Sequence, residues 1–319
     1  MNTTLNHEEI ALNLKGRDFL GVTDYSPEEL RYLLDLAIEL KRKQKAGERY
    51  QPLLGKTLGM IFEKSSTRTR VSFEVGMFQL GGHALFLSKN DIQMGRGETI
   101  SDTAQVMSRY LDGIIIRTFG HRNVIDLARG ATIPVINALS DKSHPCQALA
   151  DYQTVLENKG RLEGLKIAYI GDGNNVTHSL MMGAAKFGMH FASASPEGYD
   201  PSAEVVKSSR DVASQTGGRI DILRDPREAV EGADIIYTDV WASMGFEEEQ
   251  KERERAFASY QVNEELVASA KSDYLFMHCL PAHRGEEVSE GVIDGKHSVI
   301  FDEAENRLHA QKAIMAAIM

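Results

Sequence analysis

Short apolar runs separated by amphipathic stretches set the rhythm of this chain. Leu58–Phe62, Ala84–Leu87, Ile114–Ile116 and Val135–Ile136 are such runs, with helical patterns between several of them. Ser26-Pro27-Glu28-Glu29 opens the first firm helix: a serine cap, a proline at the first helical position and a glutamate three residues after the cap. Leu30, Leu33, Leu34, Ala37 and Ile38 then form its apolar face, and it ends near Gly47. Val71 to Leu80 reads as a second helix, stopped at Gly81-Gly82. The rhythm restarts after Gly164 with Lys166–Ile170, His190–Ala192, Ile220–Leu223, Ile235–Tyr237 and Tyr274–Met277. Continuous apolar runs alternating with helices mark strands of a parallel sheet covered on both faces. The pattern predicts an α/β protein of two domains, residues 1–150 and 151–303, each a parallel β-sheet flanked by helices. Residues 304–319 read as a final helix.

Bulk properties narrow the function classes. A chain of 319 residues exceeds one comfortable core, which supports two domains. The net charge of -10 argues against a general nucleic-acid binder, yet leaves room for a local basic pocket. Cys146 and Cys279 are the only cysteines, which fits free thiols in a reducing compartment. The polar, acidic start resembles neither a secretory signal nor a transit peptide, and no apolar run approaches the roughly 20 residues of a membrane span. A cytoplasmic protein with no membrane partner is expected. The charged run from Glu247 to Arg255 reads as a solvated helix face.

Ser66-Thr67-Arg68-Thr69-Arg70 lies between a buried strand and a helix. A helix start presents unpaired N–H groups and partial positive charge, hydroxyls add donors, and arginine grips phosphate with two parallel bonds. The segment is a candidate phosphate trap; a capped helix start beside a surface arginine is the plainer alternative. His144-Pro145-Cys146-Gln147 follows the strand near Val135, with Pro145 suited to open a helix and His144 and Gln147 able to meet a carbonyl or amide. Its alternative is a histidine cap with Cys146 in the core. Gly171-Asp172-Gly173-Asn174-Asn175-Val176 lacks the last glycine of a dinucleotide fingerprint, so a polar small-molecule contact fits better. Asp239-Val240-Trp241-Ala242-Ser243-Met244-Gly245 offers a carboxylate for an ammonium and a hydroxyl for other polar atoms. His278-Cys279-Leu280-Pro281 places a thiol at a strand end, with spacing that does not match a structural zinc site.

Taken together, the Ser-Thr-Arg-Thr, His-Pro-Cys-Gln, Ser-Met-Gly and His-Cys-Leu-Pro segments resemble those of the ornithine carbamoyltransferase family, in the family's order and over nearly the whole chain. The resemblance implies carbamoyl transfer from carbamoyl phosphate to L-ornithine, with no metal or cofactor. It implies that Ser66, Thr67, Arg68 and Thr69 bind the phosphate, and that Arg117 bridges phosphate and carbonyl. His144 would polarise the carbonyl oxygen, and Gln147 and Arg307 would hold the carbamoyl group. Arg307 in that role brings the last helix back onto the first domain. Gln93 resembles a residue lent to a neighbouring subunit, in a homotrimer with shared sites. Asn175, Asp239, Ser243 and Met244 become ornithine contacts, with Cys279 and the Leu280 backbone where amine and carbamoyl group meet. Arg68, Arg117, His144 and Cys279 would form the catalytic set. A carbamoyltransferase for another amine such as putrescine, and a non-catalytic metabolite-binding protein, are the competing readings. Arg70, His283 and Arg284 receive no role.

Overall fold

A computed structural model describes residues 6–94, 97–242 and 249–319, so Ser243 and Met244 lie outside the described residues. The chain divides into two compact units, Met1–Gln153 with Glu305–Met319, and Thr154–Ala304.

The first unit contains α1 (His7–Leu14), α2 (Pro27–Lys45), β1 (Thr57–Phe62), α3 (Thr67–Gln79), β2 (His83–Ser88), α4 (Ile100–Met107), β3 (Gly113–Arg117), α5 (His121–Gly130), β4 (Val135–Leu139) and the start of α6 (Pro145–Lys159). Its strands form a parallel sheet in the order β2-β1-β3-β4. The core on this sheet includes Ile61, Ile114, Ile116, Val124, Leu127 and Val135.

The second unit contains β5 (Lys166–Ile170), α7 (Asn175–Lys186), β6 (His190–Ala194), α8 (Ala203–Thr216), β7 (Arg219–Leu223), α9 (Pro226–Val230), β8 (Ile235–Thr238), α10 (Gln250–Phe257), α11 (Glu264–Val267), β9 (Leu275–His278), α12 (Glu290–Ile293) and the start of α13 (Ile300–Ile318). Its parallel sheet runs β7-β6-β5-β8-β9. Among the described residues no helix is long and apolar enough to cross a membrane.

Local chemistry explains these elements. At Ser26 the expected capping box forms: Ser26 Oγ accepts from Glu29 N at 3.1 Å, and Glu29 Oε2 accepts from Ser26 N at 2.8 Å. The start of α3 differs from expectation. The helix begins at Thr67, not Val71, because extended Ser66 (φ -165) accepts from Thr69 N at 3.2 Å and acts as the cap. Thr67, Arg68 and Thr69 therefore occupy the first helical turn. Gly76 of α3 lets α13 approach closely, since an added Cβ there would lie 3.1 Å from side-chain carbons of both Lys312 and Met315. The last helix is tied to the first unit at its end as well, where Gly16 N donates to Ile318 O at 2.8 Å and Ala313 packs against Ala37 and Leu40.

Both sheets reverse their strand order once. In the first unit the chain steps from β1 to β2 on one side and returns to place β3 on the other. In the second it steps from β5 through β6 to β7, then places β8 against β5. Loops leaving the adjacent strands at such a reversal diverge and open a crevice at the strands' carboxyl ends, the usual ligand position in open α/β sheets.

Candidate active site

The first crevice lies between the ends of β1 and β3. It receives the amino end of α3 from one side and Arg117, the last residue of β3, from the other. Thr69 is buried, Ser66 and Arg68 are half-buried, and Thr67 and Arg70 are exposed. Ser66 Oγ also donates to Thr69 Oγ1 at 3.0 Å, which fixes both hydroxyls at the helix start.

Arg307 reaches this cluster from α13. Its guanidinium donates to Gln147 Oε1 at 2.6 Å and to Thr69 Oγ1 at 3.3 Å, and the residue is 3% exposed. Gln147 Nε2 in turn donates to Asp151 Oδ1 at 2.8 Å, one turn further along α6. Asp151 thereby sets the amide's orientation: its oxygen must face Arg307 and its nitrogen Asp151. The sequence reading missed Asp151, although its spacing of four from Gln147 is the signal that pairs side chains on a helix.

His144 is buried among cations. Burial, and then the nearby charges of Arg307, Arg117 and Arg68, hold its imidazole well below the ordinary range. The ring is thus neutral at physiological pH and keeps one N–H donor. Arg117 is also buried. A pocket with these guanidiniums, two threonine or serine hydroxyls and a helix start is built for an anion with several oxygens. Cys146 faces the core instead: its thiol donates to Asn137 O at 3.4 Å, and burial pushes it up to about 12.

Arg70 and Gln93 stand apart from this cluster. Arg70 donates to Glu74 Oε1 at 3.2 Å and stacks its guanidinium 3.7 Å from the Phe86 ring centroid. It serves the outer face of α3. Gln93 is exposed on the loop after β2, and no hydrogen bond joins it to the cluster among the described residues.

The second crevice lies between the ends of β5 and β8. Asp239, just beyond β8, is buried and accepts three hydrogen bonds. Asn174 Nδ2 donates to its Oδ2 at 2.9 Å, while Val240 N at 2.8 Å and the Cys279 thiol at 3.1 Å donate to its Oδ1. Asn174 makes the amide contact to Asp239. Its Oδ1 also caps α7, accepting from Val176 N at 2.9 Å, and Asn175 occupies the first helical position.

His278 supports Cys279 from behind. Its Nδ1 accepts from Leu280 N at 2.9 Å, which leaves the proton on Nε2 to donate to Glu287 Oε1 at 3.0 Å. Glu303 holds the same strand end, accepting from His278 N at 2.9 Å and from Tyr237 Oη at 3.1 Å. These bonds fix Leu280 at φ 57, a left-handed backbone that a branched residue rarely adopts and that functional loops often hold. Asp239, His278 and Cys279 offer donor atoms within 4.8 Å of one another. Both ring nitrogens of His278 already serve protein partners, so the histidine has no lone pair for a metal in this arrangement.

Of the charged run after the β8 loop, Glu247 and Glu248 lie outside the described residues, Glu249 to Glu252 and Arg255 are exposed as expected, and one residue departs. Arg253 of α10 is buried, not solvated, and its guanidinium donates to Asp172 Oδ2 at 2.7 Å. A charge run alone could not show this, because burial of one member depends on which loop it meets.

Two parallel-sheet units with polar clusters at their strand reversals, one cationic and one built on a carboxylate and a thiol, are the design of a two-substrate group transferase. The chain belongs to the aspartate/ornithine carbamoyltransferase family. Residues 17–157 match the family's carbamoyl-P binding domain, and residues 163–318 match its Asp/Orn binding domain. It is 64% identical to an ornithine carbamoyltransferase of Anoxybacillus flavithermus over 308 residues, covering 97% of this chain and 98% of that one. An ornithine carbamoyltransferase of Oceanobacillus iheyensis is 62% identical over 319 residues, covering 99% of each. The solved structure of the ornithine carbamoyltransferase from Pyrococcus furiosus superposes with a TM-score of 0.94 at 57% identity, covering 96% of this chain and 98% of that one.

Proposed function

We propose that this protein transfers the carbamoyl group of carbamoyl phosphate to the δ-amine of L-ornithine, giving L-citrulline and phosphate. The observation that carries the reading is the joining of Thr69, Gln147 and Arg307 around an amide and a hydroxyl, beside a neutral buried His144. A bare phosphate site has no use for an oriented glutamine and a neutral imidazole; a carbamoyl group has use for both.

Ser66, Thr67, Arg68 and Thr69 take the phosphate at the start of α3. Arg117 bridges phosphate and carbonyl, and His144 donates to the carbonyl oxygen. Gln147, fixed by Asp151, and Arg307 hold the carbamoyl amide. Asn175, Asp239, Ser243 and Met244 bind ornithine, with Asp239 on its ammonium and Cys279 and the Leu280 backbone at the reacting amine. The neutral δ-amine attacks the carbamoyl carbon; the C–N bond forms, the C–O bond to phosphate breaks, and the proton lost by the amine ends on the departing phosphate. Donors aimed at the developing oxyanion supply the largest rate term in such reactions. An amine of this type titrates near ~10.4 in water, so the site must select its scarce neutral form.

The protein works as a homotrimer, with Gln93 contributed to a neighbouring subunit's site. The exposure of Gln93, with no hydrogen bond to its own chain's cluster among the described residues, supports this. Cys146 and Cys279 form no disulfide, which fits the cytoplasm.

The test is product formation from carbamoyl phosphate with ornithine, putrescine, aspartate or acetylornithine as acceptor. Ornithine is expected to be used and the others not. Arg68→Ala should lower turnover by roughly 10²-fold or more with the fold intact. Turnover with another amine alone would overturn the specificity, and near-normal Arg68→Ala activity would remove the phosphate clamp.

A further inference from the structure

The loop after Cys279 carries a cluster that the transfer reaction does not use. His283-Arg284-Gly285-Glu286 is a tight turn, in which Glu286 N donates to His283 O at 3.0 Å. Gly285 sits at φ 87, a left-handed value that such a turn requires at its third residue and that glycine adopts without strain. The turn brings the side chains at its two ends together. Its neighbours hold it in place. Gln261 Nε2 donates to Gly285 O at 3.0 Å and to Glu286 O at 2.9 Å, and Arg284 donates to Asp294 through two nitrogens at 2.7 and 2.8 Å.

Glu287 completes the cluster. Its side chain is 0% exposed, and its Oε1 accepts from His278 Nε2 at 3.0 Å and from His283 N at 2.7 Å. Its Oε2 has no hydrogen-bond partner among the described residues. That oxygen faces His283 Nδ1 at 4.0 Å, too long for a hydrogen bond, and Glu286 Oε2 lies 3.4 Å from the same nitrogen. A carboxylate oxygen buried with neither donor nor cation is costly, and native interiors seldom leave one so.

The three atoms have the spacing of metal ligands. Atoms about 2.0–2.2 Å from a tetrahedral zinc lie roughly 3.3–3.6 Å from each other. His283 Nδ1 and the two Oε2 atoms all fall within 4.8 Å of one another. His283 is exposed and Glu286 half-buried, so small side-chain rotations bring them to that spacing while Glu287 stays fixed. An ion also has a way in. His283 and Glu286 line a cavity of about 250 Å³ whose wall includes Glu254 and Trp241. One imidazole with two carboxylates suits a zinc-like ion, whereas Mg²⁺ and Ca²⁺ take oxygen ligands.

We propose that His283 Nδ1, Glu286 Oε2 and Glu287 Oε2 bind a divalent transition-metal ion of the zinc class, with the fourth position open to the cavity. The site is separate from the transfer chemistry and does not rest on that reading. Glu287 serves both, with one oxygen on His278 and the other on the ion.

Calorimetric titration of Zn²⁺ into the full chain carrying Cys279→Ser tests it, since that substitution removes the thiol as a competing ligand. One ion per chain is expected to bind. His283→Ala or Glu286→Gln, each added to that background, is expected to weaken binding about 10-fold or more. Mg²⁺ is expected not to bind. Trp241, the only tryptophan, gives a second readout. Co²⁺, whose unpaired electrons quench indole fluorescence, should quench it saturably in the Cys279→Ser protein, and its spectrum should lack a sulfur charge-transfer band. Absence of Zn²⁺ binding in the Cys279→Ser protein overturns the proposal and leaves the three side chains an ion-pair cluster. So does binding that neither added substitution weakens, or equal binding of Mg²⁺. If one added substitution yields no folded protein by thermal melting, the other decides, and the Co²⁺ titration needs neither.

Discussion

His309 sits on α13 with its side chain 1% exposed and its Nε2 3.5 Å from Glu305 Oε1. Burial, and then the charge of Lys312, push its imidazole down from 6.5 to about 4, against the opposing pull of Glu305. The unfolded chain therefore binds a proton between about pH 6.5 and pH 4 that the folded protein does not. Stability rises with pH across that window and falls on acidification through it, by up to roughly 1.4 kcal/mol per pH unit for one group. His144 acts in the same direction, since it too is held low by burial. His309→Gln should flatten the dependence of melting temperature on pH between about 4 and 6.5 relative to wild type; identical slopes would show that this ring does not titrate there. Residues of this kind were not legible in the sequence. Ser66, Arg68, His144 and Gln147 stand in compact segments at predicted strand ends, where chemistry declares itself. His309, Asp151, Arg253 and Glu303 look like ordinary surface polarity along a helix or a charge run. Only the tertiary partner reveals that each is buried and why that is tolerated.

At the scale of elements, the strands and their parallel order followed from apolar runs alternating with helices, because both-face burial leaves so plain a pattern. The α3 boundary did not follow. Its apolar positions point both ways, with Phe73 and Met77 buried and Val71, Val75 and Phe78 exposed, so periodicity offered no start point. The cap decided it. Ser66 serves the helix through its bond to Thr69 N and, in the proposed function, the phosphate through the same site. Two substitutions separate those duties. Ser66→Ala removes the cap and should cost about 1 kcal/mol, lowering the melting temperature by about 2–4 °C, and should raise the carbamoyl-phosphate KM. Ser66→Asp supplies an equally good cap and a carboxylate favoured by the helix dipole, so stability should hold. Its negative charge nevertheless faces the incoming phosphate, so carbamoyl-phosphate binding should weaken more than in Ser66→Ala. Calorimetric melting beside the two KM values checks this; an Asp variant that binds carbamoyl phosphate as well as wild type would move the phosphate away from the start of α3.

For the whole molecule, the exposed side of α3 bears on assembly. Val71 (50% exposed), Val75 (38%) and Phe78 (76%) recur at a spacing of four and three, which puts them on one face. An apolar face on a helix next to an edge strand is costly to leave in water and marks an interaction surface. In the trimeric reading the occupant is a second copy of the chain, and β2, the strand that follows α3, leads to the loop that carries Gln93. Substituting Phe78 with glutamate buries a charge in such an interface and should dissociate the assembly, whereas Gln93→Ala should leave it whole. Light scattering is expected to give a trimer mass for wild type and Gln93→Ala and a monomer mass for Phe78→Glu. Activity should fall in both variants, since a separated subunit loses its neighbour's Gln93 as surely as the alanine variant does. Mixing inactive Arg68→Ala subunits with Gln93→Ala subunits adds a sharper arm. If Gln93 serves a neighbour, mixed trimers hold some sites with intact Arg68 and a partner's intact Gln93, and activity returns above that of either parent. A Phe78→Glu protein that keeps the wild-type mass would take the apolar face out of the interface, and mixed trimers with no regained activity would return Gln93 to its own chain.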